Sequence, residues 1–371
     1  MKLTIDKADL QKGLSRIQAL VEKRTTMPIL ANVLLEADEG KLWFSATDLE
    51  VGIRGAQNAT VTDAGRITVS AKKFYEIVRE LPEESVELSA TPNAYLELRC
   101  ARSRFVLAGT AAEEYPNLPG AAPENLVPIQ AVLLSTMIER TMYATSLDET
   151  RYNLNGVYFE VLPEENKIRM VATDGHRLAY AERCIGEDAS RLASGVIIPR
   201  KGLAELKRVV DEPDANEIEL GFEANSGVVR KGDVTLVMRL IEGEFPNYRQ
   251  VIPKESTIRL TLQQEALSQA LRRVVLLSTE RSRAVKLQLT RNRLTLSSSN
   301  PDLGEAEEEI DVDYSGDDVS IGFNARYLLD SLSGLRSKEV QLGLKDELSP
   351  VELRPTDDEE TLAVVMPMRL S

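Results

Sequence analysis

Histidine occurs once among the 371 residues and cysteine twice, and that scarcity removes most catalytic and metal-binding chemistry at the outset. Any Ser-His-Asp or Cys-His mechanism has to run through His176. No serine or cysteine stands in a G-x-S-x-G setting, and neither a P-loop nor a G-x-G-x-x-G turn occurs. Cys100 and Cys184 each stand without a second Cys or His at ligand spacing, which argues against a disulfide framework and a zinc site. Two buried reduced thiols are expected instead, and no metal or other cofactor. Long apolar runs are missing too: none approaches the roughly 20 residues of a bilayer-crossing helix. The start, Met1 to Asp6, enters alternating strand-like sequence without the apolar core of a secretory signal, so a cytoplasmic globular protein is expected. Positive charge is also in short supply, with 45 Lys and Arg against 59 Asp and Glu and a net charge of -14. That balance argues against a nucleic-acid partner unless the basic residues are gathered locally, because salt limits the reach of exposed charges to about 10 Å at 0.1 M.

What the chain does have is repetition. An amphipathic segment with apolar positions at helical spacing occurs three times: Leu10, Leu14 and Ile17; Leu134, Ile138 and Met142; Leu267, Leu271 and Val274. Each leads into alternating strands, at Val33–Glu36, Val157–Glu160 and Val285–Gln288. A strand and a second short helix follow in each third: Ile67–Val69 before Phe74, Ile77, Val78 and Leu81; Val196–Ile198 before Leu203, Leu206 and Val209; Val319–Ile321 before Leu328, Leu329 and Leu332. Further strands come after each second helix. Proline-bearing joints, Tyr115–Pro119 and Phe245–Tyr248 with Pro253, close the first two thirds and suit linkers between sheets. The pattern predicts an α+β chain of three tandem domains, over 1–122, 123–253 and 254–371, each made of two helix-plus-antiparallel-strand units.

Basic residues collect on the predicted helices: Lys12, Arg16, Lys23 and Arg24; Lys72, Lys73 and Arg79; Arg200, Lys201, Lys207 and Arg208; Arg272, Arg273, Arg281 and Arg283. Acidic runs, Glu305–Glu309 and Asp357–Glu360, read as turns or outward edges. A surface of this kind grips the sugar-phosphate backbone without reading bases. The loop Ala172–Leu178 holds Thr173 and Asp174, then His176 and Arg177, and Ala46–Glu50 carries the same Thr-Asp at the same phase. The second copy reads as a recognition loop with exposed His176 and Arg177; the rival is a hydrolase or transferase using His176 and Asp174, and a further rival is a peptide-binding scaffold without nucleic acid. The apolar C-terminus, Val364 to Leu370, is either a closing strand or the rim of a hydrophobic site.

Taken together, Arg24–Leu30, Ala46–Glu50, Arg151–Gly156, Ala172–Leu178, Phe245–Tyr248 and Val365–Leu370 closely resemble the bacterial DNA sliding clamp family, the beta subunit of DNA polymerase III, in order along the whole chain. The resemblance implies three DNA-clamp domains forming half of a ring, a head-to-tail homodimer through which duplex DNA threads, and no active site. It implies DNA contacts at Arg24, Lys72, Tyr152 and Lys201, with Asn153 where relatives can carry a second aromatic. It also implies a groove for short linear motifs of polymerases, including the DNA polymerase III alpha subunit, of the clamp loader and of repair proteins. That groove would use Leu154, Thr173, Gly175, His176, Arg177, Leu178, Pro246, Val251, Asn324, Tyr327, Val364, Val365, Met366, Pro367, Met368, Arg369 and Leu370, with Gln250 and Ser282 departing from better-known relatives. The ring seam would place Phe105 and Leu107 against Leu276 and Leu277.

Overall fold

A computed structural model of the protein describes residues 1–18, 20–21, 27–118, 126–192, 195–279 and 283–369. Arg24, with its neighbour Lys23, and Arg281, Ser282 and Leu370 lie outside the described residues. Six α-helices are found among them: α1 (Lys7–Ile17), α2 (Ala71–Glu80), α3 (Ala131–Thr141), α4 (Arg200–Asp211), α5 (Gln264–Val274) and α6 (Ala325–Leu335). Each buries the apolar stripe written in its sequence. Leu10, Leu14 and Ile17 of α1, Phe74 and Val78 of α2, Leu134 and Ile138 of α3, Leu203, Leu206 and Val209 of α4, Leu267, Leu271 and Val274 of α5, and Leu328 and Leu332 of α6 are all in the core. Burial of each such side chain contributes about 1.5–3 kcal/mol. Met142, expected on α3, instead opens a 3-10 turn, Met142–Ala144. The Thr141 hydroxyl donates back to Met137 O at 2.8 Å, a bond that tends to bend helices, here at the end of α3. Ser70 caps α2 by accepting from Lys73 N at 3.5 Å, and Asn324 caps α6 by accepting from Arg326 N at 2.9 Å. None of the helices is long and apolar enough to cross a membrane.

Three strand relations recur in the thirds. The strand before the first helix pairs antiparallel with the strand after the second: Lys2–Asp6 with Ser85–Ala90, Val127–Gln130 with Glu217–Glu223, and Ile258–Gln263 with Glu339–Leu344. The strand after the first helix pairs with the strand before the second: Asn32–Asp38 with Gly65–Ser70, Gly156–Leu162 with Val196–Pro199, and Ala284–Thr290 with Val319–Asn324. The third relation crosses from one third to the next. The third strand after a first helix pairs with the last strand of the following third: Val51–Asn58 with Val234–Arg239, and Arg177–Cys184 with Thr361–Val365.

The chain folds as two compact units, one comprising Met1–Leu134, Arg191–Ala193 and Lys201–Leu240, the other Ser135–Ser190, Ser194–Arg200 and Ile241–Ser371. The Val51–Asn58 pairing gives the first unit one 13-stranded sheet, and the Thr361–Val365 pairing gives the second an eight-stranded sheet, in addition to one of four strands. The first proline-bearing joint therefore does not separate sheets, since Ser103–Thr110 and Val127–Gln130 on either side of it share one; the strands before and after the second, Val234–Arg239 and Ile258–Gln263, belong to different sheets. Edge strands carry rows of unmet N–H and C=O groups, and pairing with the next third satisfies them where a break would leave them bare. In the first unit, α1 lies close on its sheet because Gly13 has no side chain: a Cβ there would come within 2.5 Å of the Phe44 ring. Cys100 is buried as expected, but Cys184 is exposed; it is the terminal residue of its strand, where the sheet gives way to a turn.

Candidate functional site

The Thr-Asp turn is built twice with the same hydrogen bonds. In the first copy the Thr47 hydroxyl donates to Val51 O at 2.9 Å and accepts from Leu49 N at 3.0 Å, while Asp48 Oδ1 accepts from the N–H groups of Glu50 and Val51 at 2.9 and 2.7 Å. In the second, Thr173 donates to Arg177 O at 2.7 Å and accepts from Gly175 N at 3.1 Å, and Asp174 Oδ1 accepts from His176 N and Arg177 N at 2.9 and 3.0 Å. The third position is left-handed in both, at φ 78° for Leu49 and 88° for Gly175; only the second copy has the glycine that this conformation favours.

The copies then diverge. Arg177, expected to be exposed, is buried. Its guanidinium donates to Asp174 Oδ2 at 3.1 Å, to Asp330 Oδ2 at 2.6 Å and to Tyr143 O at 2.8 Å, and lies 4.8 Å from the Tyr327 ring centre. A planar fork with several donors is what allows three acceptors from separate segments to be joined at once. Burial pushes the neighbouring Tyr143 phenol up to about 12. His176 stays exposed and stacks on Tyr327, with ring centres 5.9 Å apart and planes 12° from parallel. The Asp174 carboxylate thus serves backbone N–H groups and Arg177, not the imidazole, so the catalytic pairing of His176 with Asp174 is not built.

Both alternatives for the apolar tail hold, for different residues. Val364 and Val365 are buried in the closing strand opposite Leu178 and Arg177. Met366, Pro367 and Met368 are half-buried and Arg369 is exposed. Met366 N donates to His176 O at 2.9 Å and Met368 N to Gly322 O at 2.7 Å, which ties the tail to the turn and to the strand before α6. Leu178 and Val364 join Val171, Tyr248 and Leu362 in an apolar cluster against which Tyr158, Tyr180, Phe245 and Ile252 pack. Two recesses lie by the 245–254 segment. One of about 630 Å³ is lined by Gln250, Val251, Ile252, Lys345, Pro350 and Met366 among others, and one of about 590 Å³ by Tyr158 and residues 244–250. Gly175, Pro246 and Val251 are exposed, Thr173 and Tyr327 are half-buried, and Leu154 is buried in the 3-10 turn Tyr152–Leu154. Asn324 is half-buried as the α6 cap.

A polar network missed in the sequence fixes the Phe245–Gln250 segment. Tyr248 donates to Glu160 Oε2 at 2.5 Å and accepts from Arg169 Nη1 at 2.8 Å, while Arg249 reaches Glu160 Oε1 at 2.6 Å. Arg169 and Lys167 also bond Glu182, as does Tyr180 at 2.5 Å. Burial alone would raise the Glu182 carboxyl, but the bonds from Tyr180, Lys167 and Arg169 prevail and hold it down at about 2. Tyr158 stacks on Phe245 at 4.9 Å. The partners are 79 to 89 positions away from Tyr248 and Arg249, so no local signal exposes them.

The helix cations are less free than their sequence suggests. Lys72 is exposed, with Glu76 at 3.7 Å, and Lys73 meets the same carboxylate at 2.8 Å. Lys201 is ion-paired with Asp48. Arg16 is largely buried against Glu212 at 2.5 Å and Asp214 at 2.8 Å, and Lys12 also takes Asp214 at 2.8 Å. Lys207 pairs with Asp211, Arg208 with Glu205 and Arg273 with Glu308. Tyr152 is exposed, whereas Asn153 donates to Glu244 O at 2.8 Å and serves the joint. For the seam, Phe105 is exposed and Leu107 half-buried on the strand Ser103–Thr110; Leu276 is 74% exposed and Leu277 half-buried in the turn Val275–Leu277.

Three helix-and-antiparallel-sheet domains, joined strand to strand and lacking a catalytic constellation among the described residues, define the architecture of a DNA clamp. The chain matches the DNA polymerase III beta subunit N-terminal domain over residues 1–119, its central domain over 128–247 and its C-terminal domain over 249–369. The beta sliding clamp of Caulobacter vibrioides (strain NA1000 / CB15N) is 39% identical over 374 aligned positions, and that of Escherichia coli K12 is 37% identical over 372, with all of both chains covered in each case. Among solved structures, the polymerase sliding clamp of Caulobacter crescentus superimposes with a TM-score of 0.93 at 38% identity. A Pseudomonas aeruginosa clamp bound to griselimycin gives 0.93 at 34%, both over the full length of each chain. The chain belongs to the DNA polymerase III beta subunit family. It is a sliding clamp, a non-catalytic processivity factor that tethers DNA polymerase.

Proposed function

We propose that two copies close head to tail into a cytoplasmic ring around duplex DNA, and that the groove by His176 receives short linear motifs of polymerases, the clamp loader and repair proteins. The observation that carries the ring is the pair of edges left over by the third strand relation. Two of its three instances are satisfied within the chain. Applied once more, the rule needs a partner for Gly304–Asp311, and the last strand without one is Ser103–Thr110 of the first third. That strand touches Gly65–Ser70 only through Thr110 and Gly109 among the described residues, leaving its first half open on that side. Each copy supplies what the other lacks. The edges differ in charge, with Arg102 and Arg104 at one, the latter paired with Glu97, and exposed Glu305, Glu307 and Glu309 at the other, the last paired with Arg293. Phe105 and Leu107 on one side, and Leu276 and Leu277 beside Gly304–Asp311 on the other, add apolar contact. Such a heterologous contact closes when its rotation divides the circle, as six domains would. The domains span 1–122, 123–253 and 254–371.

Arg24, Lys72, Tyr152 and Lys201 touch the sugar-phosphate backbone in this reading, so binding is independent of sequence and sensitive to salt. Partner peptides lie over Gly175, His176, Pro246, Val251, Tyr327 and Met366 to Arg369, with Leu154, Leu178, Val364 and Val365 as the apolar support. The test is retention on DNA after loading by a clamp loader. The ring is expected to stay on nicked circular DNA and to leave when the circle is linearised; equal retention on both forms would sink the reading.

A further inference from the structure

Many of the helix cations are paired with carboxylates of the same chain, and the pairing of Glu76 is the clearest case. Glu76 lies one helical turn from Lys72 and Lys73 on α2, 3.7 Å from the first ammonium and 2.8 Å from the second. The two lysines are exposed and the Glu76 side chain is 37% exposed, with its carboxylate turned to the ammonium groups. The bond from Lys73 outweighs the slight burial of Glu76 and holds its carboxyl below the usual range, so it is charged at neutral pH. Other helix cations have carboxylate partners too: Lys207 has Asp211 on its own helix, Lys12 has Asp214, Arg273 has Glu308, and Lys201 and Arg208 have the buried Asp48 and Glu205.

A phosphate approaching such a lysine has to displace a tethered carboxylate rather than a mobile counterion. Displacing a mobile ion releases it to bulk solution and drives binding, with a salt dependence of about 0.9 per phosphate contact. Displacing a tethered carboxylate releases nothing and leaves a bare negative charge beside the phosphate. We propose that Glu76 is an intramolecular competitor for the DNA backbone, withholding Lys72 and Lys73 so that the ring holds DNA weakly and slides with low friction. The inference rests on the ring reading above.

The experiment compares the full-length protein with Glu76→Gln, loaded on nicked circular DNA, by the salt dependence of binding and by one-dimensional diffusion along the duplex. With one or two lysines released per copy and two copies per ring, the slope of log K against log salt is expected to steepen by about 2 to 4, and diffusion to slow. Glu76→Lys should steepen it further. The change should vanish when Glu76→Gln is made on a Lys72→Gln/Lys73→Gln background, and Glu39→Gln, in an exposed turn of the first unit, should leave the slope unaltered. A wild-type ring not retained on circles refutes the clamp reading itself. A retained ring whose slope is the same with Glu76→Gln, or is moved equally by Glu39→Gln, overturns the competitor role alone.

Discussion

Replacing Arg177 with methionine keeps most of the apolar stem and removes the guanidinium that joins three segments of the second unit. In the native protein that group binds Asp174 at 3.1 Å, Asp330 at 2.6 Å and the Tyr143 carbonyl at 2.8 Å. Removing one partner of a buried ion pair costs about 3–5 kcal/mol when the other is left bare. Here the exposure is partial. Asp174 retains the N–H groups of His176 and residue 177, and Asp330 is left with Arg326 at 3.8 Å, so the low end, about 3 kcal/mol, is expected. At a urea slope of 1–3 kcal/mol/M this lowers the unfolding midpoint of that unit by roughly 1 M or more. Hydrogen exchange should quicken in Arg177–Cys184 and Thr361–Val365, while Trp43, the single tryptophan and part of the first unit, should report no change. Affinity for a partner peptide should fall more than tenfold, because the turn positions His176 and accepts from Met366 N. Lysine in place of arginine should fail similarly, since an ammonium does not span the three acceptors with a planar fork. Native stability and affinity in Arg177→Lys, or a destabilised Arg177→Met that binds peptide as before, would refute the reasoning.

Two further outcomes follow from titrating groups. Glu182 has its carboxyl lowered from 4.5 to about 2 in the fold; a lowered folded-state value contributes stability present above pH 4.5 and lost as pH falls through 2, worth up to about 3 kcal/mol. Acid unfolding of Glu182→Gln should therefore show a flatter stability profile between pH 5 and 2 than the wild type, and identical profiles would exclude the network as its source. Of the two thiols, Cys184 is exposed, while burial and the Glu84 carboxylate push Cys100 up, so a disulfide reagent at pH 8 should titrate one thiol in the native protein and the second only on unfolding.

The helices were legible because their apolar residues recur at a local period that core burial rewards; Leu10, Leu14 and Ile17 are as informative in the sequence as in the core. The Thr-Asp turn was legible for the same reason, its bonds spanning four residues. The opening strand of the second third is not legible, since Val127–Gln130 offers two inward residues and a proline. What sequence spacing hides is any partner remote in the chain. The Arg177 fork reaches Asp330, 153 positions away, and Arg16 reaches Glu212 across 196; both arginines read as exposed cations until their acceptors are found. Pairs within one helix, such as Lys72 with Glu76 and Lys207 with Asp211, each four apart, are the ones that the sequence announces locally.

Cation–carboxylate pairs serve opposite purposes in this chain, and burial decides which. Around Arg177 the guanidinium and the Asp174 carboxylate are withdrawn from water, where an ion pair is screened weakly and breaking it is expensive. The turn beneath His176 is therefore held in one arrangement before any peptide arrives, which lowers the ordering cost of binding. Beside Lys72 the pair is open to solvent, where salt screens it and such pairs contribute little. A weak exposed pair can open and reform as a phosphate passes, without holding the ring at one position along the duplex. Arg16 on α1 is paired in the buried manner, with Glu212 and Asp214, so it resembles Arg177 and not Lys72: it holds structure and is not available to a passing phosphate.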